Sequence, residues 1–420
     1  MVTRVTNTML QNTLLSNLGM NLSRMDKLQN QMSSGRKYGH ISDDPSALIY
    51  GQAARNKLAR LSHYQATVET AQSWLTQAES GILELNKVVG SIYEELVSAG
   101  SVKTDTDKQN LAKVVKQMQD HYLDTLNTSY GDRFVFGGYN TPGDYAEGKE
   151  PTIRPFTIVD TMGADGYSRP HLHFNGFDLT QFDGMPSRDF EDMFRRANVS
   201  GLNHDGAKQA IIDYVNANPV PGRGPFADEN DFNDYLQDPP PAGLGMNFSL
   251  DEVVTMNRLI NDVLSFDVGA GVSMPVTQNG IDVVFFTSKN ELGEPIIRNT
   301  FDLIHDVYIA INGDTNVTPP TPVKTPATTD ELTRLIGQVQ GAQNHLLTRT
   351  AEIGGRQRRL ELLEARYAQD NLNYEGMRSD AEDADMAEVI MFLKMSETVY
   401  QAALSAGARI IQPTLMDFLR

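Results

Sequence analysis

The 420-residue sequence contains no cysteine. Disulfides, thiolate metal sites and a cysteine nucleophile are therefore excluded. It has no run of 18 apolar residues, so no membrane-spanning helix is expected. The opening MVTRVTNTML lacks the apolar core of a cleaved secretory signal; the protein either stays inside or leaves by a route that needs no such signal. Tryptophan occurs once, at Trp74 beside Leu75, where burial on a helical bundle is expected. Proline is scarce in two long stretches. Sixteen of the nineteen prolines lie between Pro151 and Pro326, leaving Pro45, Pro142 and Pro413 outside. Because proline breaks helix interiors, the flanks are free to form long helices and the centre is not.

Enzymatic patterns are missing as well. No HExxH, GxSxG, P-loop or GxGxxG occurs, and Gly35, Gly39 and Gly51 do not make a phosphate loop. His171 and His173 share one face of a candidate strand, but a metal site would have to recruit Asp178 or His204, and nothing in the spacing requires it. The acidic run Asp380, Glu382, Asp383, Asp385 has no glycine at the sixth position of a calcium loop. Arg356, Arg358 and Arg359 read as a bundle surface or subunit contact rather than a nucleic-acid site, with Glu352 four residues before Arg356 in the favourable order. No catalytic, cofactor-binding or metal residue is assigned, and no enzyme is expected.

Charge is unevenly placed on a chain of net charge −18. Residues 1–60 carry eight basic residues against three aspartates, whereas residues 150–330 carry 26 acids against 11 bases. A basic head and an acidic middle do not make one nucleic-acid surface; the acidic middle reads as a solvated face.

In the N-terminal flank Leu15, Leu18, Leu22, Met25 and Met32 alternate by threes and fours, with Gln29 in the polar gap and Gln11 one step earlier. This is a helix with a coiled-coil-like stripe that ends near Ser33-Ser34-Gly35. Asp44 as cap and Pro45 in the first turn start a second helix that runs to about Ala99, where Gly100 stops it; fifty-odd residues span roughly 80 Å. A third helix is expected from about Thr106 to Ser129, and DRFVFGGYNTPGDY then reads as a short hairpin. In the C-terminal flank Thr328 and Glu331 have capping-box spacing, a break is expected within Gly376–Asp385, and Met386, Val389, Leu393, Ser396, Tyr400, Ala403, Gly407 and Ile410 keep a 3–4 spacing.

The middle is mixed. RPFTIVD, HLHFNGFDL and GIDVVFFTS are strand candidates. AKQAIIDYVN and SLDEVVTMNRLINDVL are helix candidates, the second opened by Ser249 or Asp251. NANPVPGRGP, QDPPPAG and VTPPTPVKTPATT are loops or linkers.

Neither terminal stripe can bury itself alone. The economical solution is that the two pair antiparallel. Leu14, Leu28, Val399 and Ile411 then remain beside the seams, and continuous exposed apolar surface marks an interface. Stacked copies would cover it, each large side chain contributing roughly 1.5–3 kcal/mol. Arg36, Lys37, Asp43 and Asp44 put both charge signs at the break between the first two helices, where they can set registry between subunits; an ordinary helix–loop–helix with a capped second helix accounts for the same residues.

MSSGRKYGHISDDPSALIY and the tail SETVYQAALSAGARIIQPTLMDFLR resemble the terminal signatures of the bacterial flagellin superfamily. YGDRFVFGGYNT, RTAEIGGRQRRLELLEARY and SDAEDADMAEVIMFLK narrow the resemblance to the flagellar hook-associated protein 3 family of hook–filament junction proteins. It covers about residues 1–145 and 328–420. What it implies is a structural subunit of the flagellum with terminal helices lining an axial channel. Its implied partners are copies of itself in a ring, flagellin, hook-associated protein 1 and a cytosolic export chaperone. The implied location is extracellular, reached by type III export.

The positions carried over are Leu18, Leu22, Met25 and Met32 on the inner helix and Ser34, Gly35, Arg36, Asp43, Asp44 and Pro45 in the turn. Phe134, Phe136, Gly137 and Gly138 match the hairpin, and Leu404, Ala408, Ile410, Leu415 and Phe418 the terminal helix and tail. Together with Leu393 and Tyr400 from the C-terminal stripe, the apolar residues of both terminal helices and the charged turn residues form the expected assembly interface. KYGHI departs from the family's shorter aliphatic turn.

The expected architecture is elongated and mainly α. Residues 1–42 and 380–420 would form an antiparallel coiled coil. Residues 43–149 and 327–379 would form a helical bundle with a β-hairpin near 132–145. Residues 150–326 would be an inserted mixed α/β or β-rich domain. Two other functions fit the same sequence: a flagellin filament subunit, and a surface adhesin or binding module carried by the middle domain.

Overall fold

A computed structural model describes residues 7–40, 42–100, 104–131, 133–138, 154–162, 168–197, 199, 202–218, 225–237, 244, 248–261, 263–290, 292–312 and 328–410. The chain is mostly helical, with small antiparallel sheets. It divides into two compact units: residues 1–66 with 363–420, and residues 67–362.

The first unit contains α1 (Asn7–Ser34), the start of α2 (Pro45–Ala99), the end of α10 (Thr329–Glu382) and α11 (Met386–Ile410). Helices α1 and α11 pack in opposite directions. Leu14 faces Gly407, the Asn21 amide donates to the Ser396 carbonyl, Arg24 sits over the Phe392 ring, and Leu28 is buried with Val389 and Leu393. The α1 seam is therefore Leu14, Leu18, Asn21, Met25 and Leu28, whereas Leu15 and Leu22 point outward. This corrects the expected stripe. The two registers share Leu18, Met25 and Met32, the last on the seam face but 37% exposed near the helix end; apolar Leu28 rather than polar Gln29 decides between them. The α11 stripe behaves as expected from Val389 to Gly407, but Met386 is exposed. A methyl at Gly407 would lie 2.7 Å from Leu14 Cδ2, so glycine there permits the close approach. Farther along, α2 and α10 meet through Tyr64 stacked on Tyr367 and Lys57 over Tyr374.

In the second unit Ala71, Leu75, Ala78, Ile82, Leu85, Val89, Ile92 and Leu96 of α2 form a buried row with alternating steps of four and three. Leu335, Val339, Ala342, Leu346, Ile353 and Leu360 of α10 form another. The Gln340 amide donates to Tyr93 Oη and Gln357 to Glu79, so these helices also run antiparallel. Trp74 is buried, its ring edge-on to Tyr130.

Helix α3 (Asp105–Leu126) opens with a capping box between Thr104 and Asp107 and ends three residues short of the expected Ser129. The reason is that β1 (Ser129–Tyr130) pairs with β2 (Arg133–Phe134) around Gly131, whose φ is +59°. Beyond β2 the strand expected for Val135 and Phe136 is a turn, and Phe136 wedges between Gly81 and Gly280, where any side chain would collide with its ring or carbonyl. The hairpin residues from 139 to 145 lie outside the described residues.

The rest of this unit mixes helices and strands. Strands β3 (Phe156–Met162), β4 (Ser168–Phe174) and β5 (Phe177–Asp178) form an antiparallel sheet, β4 and β5 being joined by Asn175-Gly176 with positive φ at both positions. A short α4 (Ser187–Phe190) runs into a π-turn at Glu191–Arg196, whose Met193 and Ala197 carbonyls accept from the buried Asn257 amide. Helices α5 (His204–Ala217), α6 (Glu229–Gln237) and α7 (Leu250–Asn261) follow, and Ser249 and Glu252 cap α7. Strands β6 (Ser265–Gly269) and β7 (Val272–Pro275) make a hairpin.

GIDVVFFTS is half helix, α8 (Gly280–Val284), and half strand, β8 (Phe285–Lys289), because the Asn279 side chain caps Ile281 N–H and starts a turn. Strand β9 (Pro295–Asn299) pairs with β8 and leads into α9 (Thr300–Asn312), which packs on α3. An aromatic core of Phe182, Phe190, Phe194, Phe248 and Phe285 holds these pieces together.

Candidate functional site

The residues singled out at the first helix break lie together in the first unit. Helix α1 stops where Gly35 adopts φ +69° and its N–H reaches the Gln31 carbonyl. The chain then crosses the break between α10 and α11. Lys37 N–H donates to the Glu382 carbonyl at 2.7 Å and Ala384 N–H donates to the Gly35 carbonyl at 2.8 Å, which sets the Arg36 and Asp383 backbones opposite each other as a single antiparallel β-bridge. The Lys37 ammonium also reaches the Asp380 carbonyl. The acidic run 380–385 thus supplies backbone acceptors and helix caps: Asp385 receives Ala387 and Glu388 N–H and starts α11.

Two aspartates shape the turn. Asp43 Oδ2 accepts Gly39 and His40 N–H at 3.2 and 3.0 Å, and Asp43 Oδ1 meets Lys27 Nζ at 3.0 Å. The His40 N–H and the Lys27 ammonium hold its carboxyl down at about 2. Asp44 caps α2 by accepting Ala47 N–H and the Ser46 hydroxyl, and the same bonds lower its pKa. The turn is tied to α10 by the buried Glu382 carboxylate, which meets Arg55 at 2.5 Å. That bond raises the Arg55 pKa further. Gly51 is the floor of this contact: a methyl there would sit 2.6 Å from Glu382 Oε1 and 3.0 Å from Tyr38 Oη. Burial, followed by the Glu382 charge, raises the Tyr38 pKa. Beside the turn lies a cavity of about 650 Å³ whose wall includes Arg24, Lys27, Arg36 and His40 together with Asp26 and Asp43.

Arg36, Asp43 and Asp44 therefore meet in one clamp, while Leu18, Met25, Leu393 and Tyr400 lie along the α1–α11 contact. Leu22 and Leu404 face outward, together with Leu15, Ile390, Met391, Met395 and Val399, and Met32 is partly exposed at the end of the α1 seam. Ile410 ends α11, and Leu415 and Phe418 lie outside the described residues. Sequence reading placed Lys37 among the charges of the break but missed Tyr38, Gly51, Arg55 and Glu382 as parts of the clamp. A small residue and an arginine four apart on α2 were the available signal.

The other charged candidates have ordinary roles. His171 pairs with Asp178 at 2.8 Å and His204 with Asp251 at 2.7 Å. Among the described residues no group of three histidines or acids is placed to hold a metal, and no helix is long and apolar enough to cross a membrane. Glu352 binds Arg349 rather than Arg356, the i−3 partner being within 2.9 Å.

Residues 5–141 match the model of the bacterial flagellin N-terminal helical region. A flagellar hook-associated protein 3 of Salmonella typhimurium is 29% identical over 127 residues, 29% of this chain and 40% of that protein. A flagellar filament 30.7 kDa core protein of Treponema maltophilum is 25% identical over 104 residues, 24% of this chain and 36% of that protein. The matched segment spans less than half the length of either relative. The crystal structure of flagellar hook-associated protein 3 from Legionella pneumophila is 11% identical, with 78% of this chain and 97% of that one covered, at a TM-score of 0.44. The resemblance to the hook-associated protein 3 family and the flagellin superfamily is borne out by the family model and the Salmonella relative.

Proposed function

We propose that this chain, which carries a flagellin-type N-terminal helical region, is a structural subunit of the bacterial flagellum at the junction between the hook-associated zone and the filament. The observation that carries the reading is apolar exposure on both flanks of the paired helices. If the seam between α1 and α11 is taken as the front, Leu15 and Leu22 lie on one flank of α1 and Met20 on the other; Ile390 and Leu404 flank α11 on one side, and Met391, Met395 and Val399 on the other. A subunit that binds neighbours on two sides needs both flanks apolar; a free-standing helical pair needs neither.

In this reading α1 and α11 form an antiparallel coiled coil from residues 1–42 and 380–420. Residues 43–149 with 327–379 form the bundle, and residues 150–326 are an inserted outer domain. The assembly interface would comprise Leu22, Met32, Leu404, Ile410, Leu415 and Phe418, supported from within the α1–α11 contact by Leu18, Met25, Leu393 and Tyr400, with Arg36, Asp43 and Asp44 fixing registry at the clamp. The partners are further copies in a ring, flagellin, hook-associated protein 1 and, before type III export, a cytosolic chaperone. The role is structural rather than enzymatic, and it is carried out outside the cell.

The Treponema relative, named as a filament core protein, favours a second reading as a filament subunit. Adding labelled chain to hook fragments under the electron microscope separates the two. A short cap that stops growing supports the junction; long filaments support the second reading; no addition to any flagellar end overturns both.

A further inference from the structure

Methionine is divided sharply between the two units. Met185, Met193, Met256 and Met274 are fully buried, and all four lie in the unit of residues 67–362. Among the described residues, every exposed methionine lies in the other unit: Met377 on α10, Met9, Met20 and Met32 on α1, and Met386, Met391 and Met395 on α11. The placement on the helices is ordered too. Met9 and Met20 are eleven residues apart, three turns, and so lie on the same flank of α1; Met391 and Met395 are one turn apart on α11. Met391 is 58% exposed and Met20 63%. Leucine would supply the same apolar area with a more defined shape. A thioether supplies a polarizable, adaptable surface, and it brings a chemical liability that leucine lacks.

We propose that Met9 and Met20 of α1 and Met391 and Met395 of α11 are an oxidation site, and that sulfoxide formed there switches off incorporation of the subunit. The oxidant is a peroxide or hypohalous acid of the medium. Hydrogen peroxide transfers one oxygen to the thioether sulfur; the O–O bond breaks, an S–O bond forms, the sulfur loses two electrons and the peroxide leaves as water. The product is polar and carries a strong acceptor oxygen. On an isolated subunit that oxygen is hydrated, so the helices stay folded. Against a neighbour's apolar flank it would be buried without a donor, an unfavourable arrangement. Assembled copies cover the same sulfurs, so oxidation selects unassembled subunits. This inference rests on the junction reading for its consequence but not for the site itself.

The test treats full-length chain with hydrogen peroxide and follows each methionine by peptide mass spectrometry, then adds the chain to hook fragments. Met20, Met391 and Met395 are expected to oxidise at least about tenfold faster than Met185, Met193, Met256 and Met274. Incorporation should fall in step and return after methionine sulfoxide reductase. For a variant with Met9→Leu, Met20→Leu, Met391→Leu and Met395→Leu, incorporation after treatment should equal that variant's own level before treatment. Equal oxidation rates in the two units would overturn the site. Undiminished incorporation of fully oxidised chain, or loss of incorporation by the treated leucine variant, would overturn the switch. Failure of untreated chain to add to any flagellar end would instead remove the junction reading, while the peptide map still decides the oxidation site.

Discussion

Arg55 on α2 and Glu382 at the end of α10 meet at 2.5 Å although 327 positions separate them in sequence. Glu382 is buried to 7% exposure, whereas Arg55 is half in solvent. Removing the arginine strands a desolvated carboxylate. Arg55→Ala is therefore expected to destabilise the unit of residues 1–66 and 363–420 by roughly 1–3 kcal/mol, and Arg55→Ala with Glu382→Gln by less. Hydrogen exchange at the Lys37 and Ala384 amides checks this; equal protection in Arg55→Ala and the parent would count against the clamp.

Gly51 gives an independent test of the same contact. Gly51→Ala places a methyl against Glu382 Cγ and Tyr38 Oη at 2.9 and 3.0 Å. Elsewhere in a helix this substitution stabilises by about 1 kcal/mol; here it should be neutral or destabilising. Gly354→Ala, where nothing lies within 4 Å, is the matched control and should raise stability.

The two faces of α11 should separate stability from assembly. Leu393→Asp places a charge in the buried cluster with Leu28 and Val389 and should fray the helical pair. Leu404 is 47% exposed, so Leu404→Asp should leave circular dichroism within error of the parent and still abolish incorporation on hook fragments. Loss of helix in Leu404→Asp would place that residue in the subunit's own core.

The Asp189 carboxyl should contribute stability to the unit of residues 67–362 that is lost between mildly acid and neutral pH. Burial pushes the Asp189 carboxyl up to about 6, partly offset by Arg188. A carboxyl whose folded pKa is raised binds its proton more tightly in the native state. Its contribution is complete below the ordinary value near 3.8 and is lost as pH rises through about 6. In the parent, His345, whose burial pulls its pKa down to about 4, has the opposite slope, so the carboxyl is isolated by comparing parent and Asp189→Asn in thermal melts followed by the fluorescence of Trp74, the sole tryptophan and a buried residue of this unit. Asp189→Asn should gain stability relative to the parent between pH 5 and pH 7.5, by no more than about 3 kcal/mol.

Elements governed by neighbouring residues were legible in the sequence. Asp44, Pro45 and Gly100 bracket α2, which spans Pro45–Ala99 as read, whereas HLHFNGFDL, read as one strand, is two strands joined at Asn175-Gly176. Features decided by distant residues were not. The choice between Leu28 and Gln29 as seam member depends on Val389 and Leu393, and the early end of α3 depends on Arg133 and Phe134 pairing back onto Ser129 and Tyr130. GIDVV has the β-branched residues of a strand, yet a single Asn279 cap bends it into a helical turn. In the clamp Asp44 was readable as a local cap. Glu382 was not, because the acidic run Asp380–Asp385 has the composition of any solvated helix end and only its contact with Arg55 gives it a role.

The division into a contiguous unit and one split around it has a consequence for synthesis. Residues 7–34 emerge early, but their packing partners at 386–407 are translated only after residues 67–362. At about 5–20 residues per second, α1 waits on the order of tens of seconds with Leu28 uncovered. A nascent chain in that interval presents a lone greasy helix beside a folding core. Protection during translation is therefore needed first at α1, before α11 exists.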